Sequence, residues 1–347
     1  MLLFLYILLY VSAVIADSKS IGVKEKYLSF LCIIFSFIAG GRSINVWPDT
    51  IVYDASFRGG PDVFSFSWDY PILGYEEHGF AFLGAVVRTF TSSSILYFTI
   101  IAGLSLWVLY KDIRKYCIYP ILGFCVYVAR FFMGRNMIQI RAGLSYVIIV
   151  WAIQYITRKD WKKYFLFVGI AYLFHHSSII AVPLYFLCCF KIGRIQIVCF
   201  QILAFVLTIF FTPVLQHYVT DNASDLNIST KYVTGEEIEK AKGISNPMIY
   251  FQTFILMLYT FSEKKLKKLS CHYFTIRTAY AYSTFILTTF SMFLALGSRT
   301  STMFATLEFV VIPSLINVVK RKNRKFVYFS IGIILTIIFY MNLPKNN

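Results

Sequence analysis

The sequence predicts an all-α fold: a polytopic transmembrane helix bundle of ten to twelve spans with two long extracytoplasmic loops. Three observations predict it. Hydrophobic residues fill 58% of the 347 positions and charged residues only 14%, against about 25% charged in soluble domains. Mean hydropathy is +0.66. The apolar residues form continuous runs rather than the dyad alternation of a membrane barrel. Backbone in lipid must satisfy its own hydrogen bonds, so such runs become helices.

Twelve runs approach the roughly 20 residues needed to span a bilayer. They fall at 2–16, 27–41, 92–110, 116–133, 139–156, 163–175, 178–190, 195–211, 247–261, 274–296, 302–319 and 326–342. The first lacks a basic flank and reads as a membrane helix, not a signal peptide. No internal repeat or change of composition divides the chain, so 1–347 reads as a single integral membrane domain.

The formal charge of +16 does not point to nucleic acid, because the basic residues sit in short clusters between the apolar runs. These clusters are Lys19, Lys24 and Lys26; Lys111, Arg114 and Lys115; Arg158, Lys159, Lys162 and Lys163; Lys191 and Arg194; Lys264, Lys265, Lys267 and Lys268; and Lys320, Arg321, Lys322, Arg324 and Lys325. They occupy alternate loops and mark the cytoplasmic side. The outer side then receives loops 42–91 and 212–246, which hold most of the acids. Within the first, Glu76 to Phe90 reads as a short amphipathic helix at the outer leaflet. The seven cysteines have neither zinc-ligand company nor a disulfide-framework spacing, so no metal site is expected.

Several arginines break the inside rule. Arg88, Arg130, Arg135, Arg141 and Arg299 fall near the outer ends of helices. A guanidinium presents a planar donor fork that matches phosphate oxygens and keeps its charge. Arg88, Arg135, Arg141 and Arg299 are therefore the candidate diphosphate-binding set, with anchoring at the membrane surface as the alternative. On a helix Arg135 and Gln139 share a face, whereas Arg141 points elsewhere unless the segment bends. Glu308 is the only acid well inside an expected span, where a carboxylate is either functional or paired with a neighbouring helix.

His175 and His176 emerge at the outer end of the run 163–175 and point about 100° apart, so only one need face a cavity. A histidine there is a candidate general base on a sugar hydroxyl. The alternative is a helix end capped by Ser177 or Ser178. The first outer loop, with Trp68, Asp69, Tyr70, Glu76 and Glu77, reads on its own as a folded outer cap.

The runs IQIRAGLSYVIIVWAI, LFHHSSIIAVPL, SRTSTMFATLEFVVIPSLI and EEHGFAFLGAVVR resemble the EpsG/Wzy group of bacterial polysaccharide-polymerase membrane proteins. In that group an arginine opens the middle helix, a histidine is followed closely by serine, and an arginine precedes a late helix carrying an acid. Arg141, His175 with Ser177, and Arg299 with Glu308 fit those positions. The resemblance implies a membrane glycosyltransferase without a cofactor, at the outer face of the bacterial inner membrane. Its partners would be an undecaprenyl-diphosphate-linked oligosaccharide, membrane lipid and, as a further partner, a chain-length regulator. Repeat units would be polymerised into O-antigen or capsular polysaccharide. His175, Arg141, Arg299 and Glu308 would be the catalytic residues. In the first outer loop Trp68 and Tyr70 would stack on acceptor sugars, and Asp69, Glu76 and Glu77 would accept hydrogen bonds from sugar hydroxyls, with the folded cap as the alternative. A transporter or flippase of the same lipid-linked glycan is the alternative reading, and a glycan acyltransferase the third.

Overall fold

A computed structural model describes residues 2–68, 77–190, 192–210, 214, 217 and 243–344. In chain order the α-helices are α1 (Leu2–Ala16), α2 (Ile21–Gly40), α3 (Thr50–Gly59), α4 (His78–Phe90), α5 (Ser94–Tyr116), α6 (Pro120–Tyr127), α7 (Ile140–Thr157), α8 (Trp161–Phe174), α9 (Val182–Cys189), α10 (Arg194–Phe210), α11 (Pro247–Phe261), α12 (Glu263–Leu266), α13 (Tyr273–Thr289), α14 (Leu294–Ala305), α15 (Glu308–Ser314) and α16 (Arg324–Met341). The second outer loop lies almost wholly outside the described residues, as do the acids expected on it.

The chain forms two compact units. The first comprises Met1–Ala152, Lys162–Ile179 and Glu308–Asn347; the second comprises Ile153–Trp161 and Ile180–Leu307. In the first unit α2 packs along α5, and α6 lies against α1 and α15. Pro120 opens α6, where its missing N–H costs nothing. The Asp17 carboxylate, at the end of α1, caps that helix from outside by accepting from the N–H of Ile121 (3.1 Å) and Leu122 (2.9 Å). The second unit is built around α13, which contacts α9, α10, α11 and α14.

The outward surfaces are those of a protein solvated by lipid. On α16 the exposed residues Phe326, Phe329, Ile333, Ile337 and Tyr340 recur every three or four positions and form one apolar stripe. Among the described residues, four helices are long and apolar enough to cross a membrane, or five if Arg299–Ala305 and Glu308–Asn317 together count as one span. Four more apolar helices are shorter, Leu2–Ala16, His176–Cys189, Arg194–Phe210 and Pro247–Phe261. Of the ten to twelve spans expected from the sequence, three are short runs, and breaks shorten others. The run 274–296 ends its helix at Thr289, and the run 302–319 is cut between α14 and α15.

Two other differences matter for the site. The run 116–133 becomes α6 followed by an eleven-residue π-helix, Val128–Ile138, a form concentrated at functional places in helices. It ends at Gln139 (φ −93°, ψ 61°), whose N–H bonds Gly134 O at 2.8 Å. The break that would let Arg141 depart from a continuous helical register is therefore present. Glu308 is also not alone as an acid inside a span: Asp112 lies within α5 and is fully buried. The charge-rich end of that run hid the last turns of the helix.

Candidate active site

In the first unit Ser145 Oγ of α7 donates to the carbonyl of Ala171 on α8 at 3.0 Å and bonds Ser178 Oγ. Arg141 lies four residues before Ser145, and His175 four residues after Ala171. The start of α7 and the end of α8 thus come to one end of the bundle, the end that loop charge assigns to the outside.

Helix α4 is fixed against α8 by a glycine. A Cβ on Gly79 would stand 2.6 Å from both the Cβ and the carbonyl oxygen of Leu173, so only glycine permits this approach. Glu77 precedes Gly79 by two residues, and His175 follows Leu173 by two. Their close crossing brings Glu77 and His175 together. Glu77 stands at the N-cap of α4, yet its side chain makes no cap hydrogen bond. Its carboxylate turns to other partners instead.

Those partners define the site. Glu77 Oε1 meets His175 Nδ1 at 2.8 Å. Glu77 Oε2 accepts from Nη1 of Arg141, and Nε of Arg141 donates to the Tyr53 hydroxyl at 3.2 Å. The side chains of Glu77, Arg141 and His175 are 6%, 13% and 19% exposed, dry enough to strengthen the charges and open enough to meet a ligand. Burial pushes the Glu77 carboxyl up, but the His175 hydrogen bond and the Arg141 charge outweigh it and hold it below its ordinary value. A carboxylate accepting from Nδ1–H leaves Nε2 as the basic nitrogen. Among the described residues that Nε2 makes no hydrogen bond. Beneath the cluster lies an aromatic and apolar core that includes Tyr53, Phe57, Phe80, Tyr97, Phe98 and Ile140.

His175 carries this geometry because α8 ends at Phe174 and a 3₁₀ turn, His176–Ala181, follows. His176 is exposed and stacks on Tyr172, ring centroids 4.8 Å apart, so the two histidines have separate surroundings. The 3₁₀ turn also supplies Ser177, whose Oγ lies 2.9 Å from the Tyr146 hydroxyl. The Tyr146 ring stands 6.0 Å from that of His175.

The other expected site residues are distributed as follows. Arg135 is buried, with its guanidinium 4.3 Å from the centre of the Tyr146 ring. Arg88 sits at the opposite end of α4 from Glu77, about 16 Å of helix rise away, over the Phe57 ring. Glu308 chelates Arg130, with Oε2 to Nε at 2.7 Å and Oε1 to Nη2 at 3.2 Å. Arg299 belongs to the second unit and is exposed on α14. Trp68 is exposed and stacks on Phe82 at 6.0 Å, with His78, the neighbour of Glu77, at 6.2 Å. Asp69, Tyr70 and Glu76 lie outside the described residues.

The sequence reading missed Tyr53, Gly79, Tyr146 and Arg42. Arg42 carried the same signal as the other outer arginines, being a basic residue at the outer end of a helix. It is buried, donates to the carbonyls of Ala39 (3.2 Å) and Asn136 (3.0 Å), and lies 3.8 Å over the Phe98 ring. Burial lowers its pKa to about 10, which leaves it cationic at neutral pH. Tyr53 and Gly79 had no comparable signal, since each acts through a residue distant in the chain.

No curated protein and no solved structure matches the chain. The EpsG family model matches residues 25–347, nearly the whole length, with every element of the Glu77, Arg141 and His175 cluster inside the match. The chain belongs to the EpsG family.

Proposed function

We propose that this chain is a polysaccharide polymerase. It would act on undecaprenyl-diphosphate-linked repeat units at the outer face of a bacterial inner membrane, as a multi-pass glycosyltransferase. The observation that carries the reading is one carboxylate, Glu77, divided between His175 and Arg141.

In this reading Glu77 holds His175 with its proton on Nδ1, and Nε2 takes the proton of the acceptor sugar hydroxyl. The acceptor oxygen bonds the anomeric carbon of the donor glycan as the bond from that carbon to the diphosphate oxygen breaks. The lipid diphosphate leaves with the electron pair. Arg141 stabilises the negative charge that grows on it, the kind of contact worth about 10²- to 10³-fold in rate. Arg299 and the buried Arg135 are further proposed contributors of positive charge. The exposed Trp68, next to His78 and Phe82, offers an aromatic face to a sugar ring close to the base. Glu308, bound bidentately by Arg130, holds the π-helix in place and is a positioning residue rather than a proton carrier. The product is either O-antigen or capsular polysaccharide.

The test is complementation of a host deleted for the gene, reading the length ladder of the surface glycan. Arg141→Ala and Arg299→Ala are expected to give single-repeat products at normal protein level. Lysine at position 141 should restore little, since it lacks the fork. Long chains in the deletion strain would end the polymerase reading. Loss of lipid-linked units from the outer leaflet, with polymerisation of supplied units intact, would favour a flippase.

A further inference from the structure

The second unit contains a cavity of about 1070 Å³, at the upper end of the volumes typical of small-molecule pockets. One wall is charged and carries Arg194, Glu263 and Arg277; another is apolar and carries Phe190, Phe261 and Phe274. It lies where α10 begins and α11 ends, beside the clusters that loop charge assigns to the cytoplasm. It shares no residue with the Glu77, Arg141 and His175 cluster.

The charges around Glu263 do not balance. Its carboxylate faces Arg277 Nη1 at 2.8 Å, Arg194 Nε at 3.8 Å and Lys267 Nζ at 3.9 Å. One negative charge thus serves three positive ones. Arg277 is the costliest of the three, because it is fully buried within α13. Its Nη2 donates to the carbonyl of Ile192, but among the described residues its buried Nε has no hydrogen-bond partner. A buried guanidinium that shares one carboxylate with two other cations is expensive unless a further anion completes the site. Arg194, on the cavity wall and 44% exposed, is placed to donate to that anion, with Arg277 adding fixed charge behind it.

The apolar wall identifies what carries the anion. Phe190, Phe261 and Phe274 are 71%, 62% and 50% exposed, which suits hydrocarbon rather than water. A phosphate group matches the arginine fork, and basic pockets between membrane helices on the cytoplasmic side recognise anionic lipid headgroups. We propose that this cavity binds a phosphate-bearing lipid of the cytoplasmic leaflet. The headgroup sits on Arg194 in front of Arg277, and a chain lies against Phe190, Phe261 and Phe274.

The experiment uses the full chain in nanodiscs of neutral phosphatidylcholine, titrated with phosphatidylglycerol and read by thermal unfolding. The wild type is expected to show a saturable rise in midpoint. Arg194→Gln, on an exposed side chain, should fold and require about fivefold more phosphatidylglycerol for the same rise. Arg277→Gln should lose more, and Lys322→Gln, in a different basic cluster, should match the wild type. A titration that is unsaturable, or identical in wild type and Arg194→Gln, would overturn the site. Inorganic phosphate giving the full rise in neutral nanodiscs would assign the cavity to a soluble anion and overturn the lipid. Absence of that effect, with the phosphatidylglycerol response intact, supports the lipid.

Discussion

Two arginine–carboxylate contacts in the first unit look alike in sequence and differ in construction. Arg130 and Glu308 form a closed pair: both carboxylate oxygens bind one guanidinium, and the Glu308 side chain is 0% exposed. Glu77 instead gives one oxygen to His175 and the other to Arg141, at helix ends with some access to the outside. The first arrangement puts both oxygens on one guanidinium and ties a π-helix to α15. The second uses the acid to set the orientation and charge of two groups that can still meet a ligand. Burial and arginine contact are common to both, so neither marks function. What separates them is how the two oxygens are distributed.

The largest expected effect breaks the closed pair. Glu308→Ala removes a fully buried carboxylate from a bidentate ion pair, and breaking a buried pair costs about 3–5 kcal/mol of stability. That is a large fraction of a typical total of roughly 5–15 kcal/mol. The variant should disappear from the membrane fraction or unfold at much lower temperature. Normal abundance and an unchanged unfolding midpoint would refute the structural role. His175→Ala tests the open cluster in the opposite way. Loss of a general base reduces rate by about 10²- to 10⁴-fold, while stability should stay within about 1 kcal/mol of wild type for a partly exposed side chain. Abundance and glycan length, measured on the same cells, should separate these two variants cleanly. A glycan ladder that stays long in His175→Ala would remove the histidine from the chemistry.

A smaller effect is expected from the crossing that assembles the cluster. Gly79→Ala places a methyl against the Leu173 backbone, and overpacking of this kind costs about 1–3 kcal/mol. Polymer length should fall as Glu77 moves from His175. Gly169→Ala, on α8 with nothing within 4 Å of its Cβ, is the matched control and should change neither. Equal behaviour of the two variants would show that the Gly79 contact does not set the site.

This glycine also shows where sequence reading stops. The helix expected at 139–156 appears as Ile140–Thr157, and the amphipathic segment expected at Glu76–Phe90 appears as His78–Phe90. Both are local patterns, an apolar run between charges and a 3.6-residue alternation. The separate fates of His175 and His176 followed from their angular offset, though which one met a partner did not. Glu77 lies 98 residues from His175 and 64 from Arg141, and no periodicity reports a contact at that distance. The π-helix was equally hidden, because its apolar content is that of an ordinary span.

The smallest effect concerns protons. The Glu77 carboxyl is lower in the folded protein than its ordinary value of 4.5, because the His175 hydrogen bond and the Arg141 charge favour its ionised form over the opposing effect of burial. A depressed carboxylate binds fewer protons folded than unfolded, so its contribution to stability is full above the ordinary value and shrinks as pH falls through the folded one. The Glu77 contribution should therefore be flat from neutral pH down to about pH 5 and decline only below the usual glutamate range. Unfolding midpoints of wild type and Glu77→Gln, recorded from about pH 6 to pH 3, should diverge most at the upper end and converge toward acid. The closed pair supplies the contrast: Arg130 and Glu308 remain intact in both proteins and cancel from the difference. If the two curves instead converge as pH rises, the Glu77 carboxyl is raised rather than lowered by folding, and the cluster is held by a neutral acid instead of by charge.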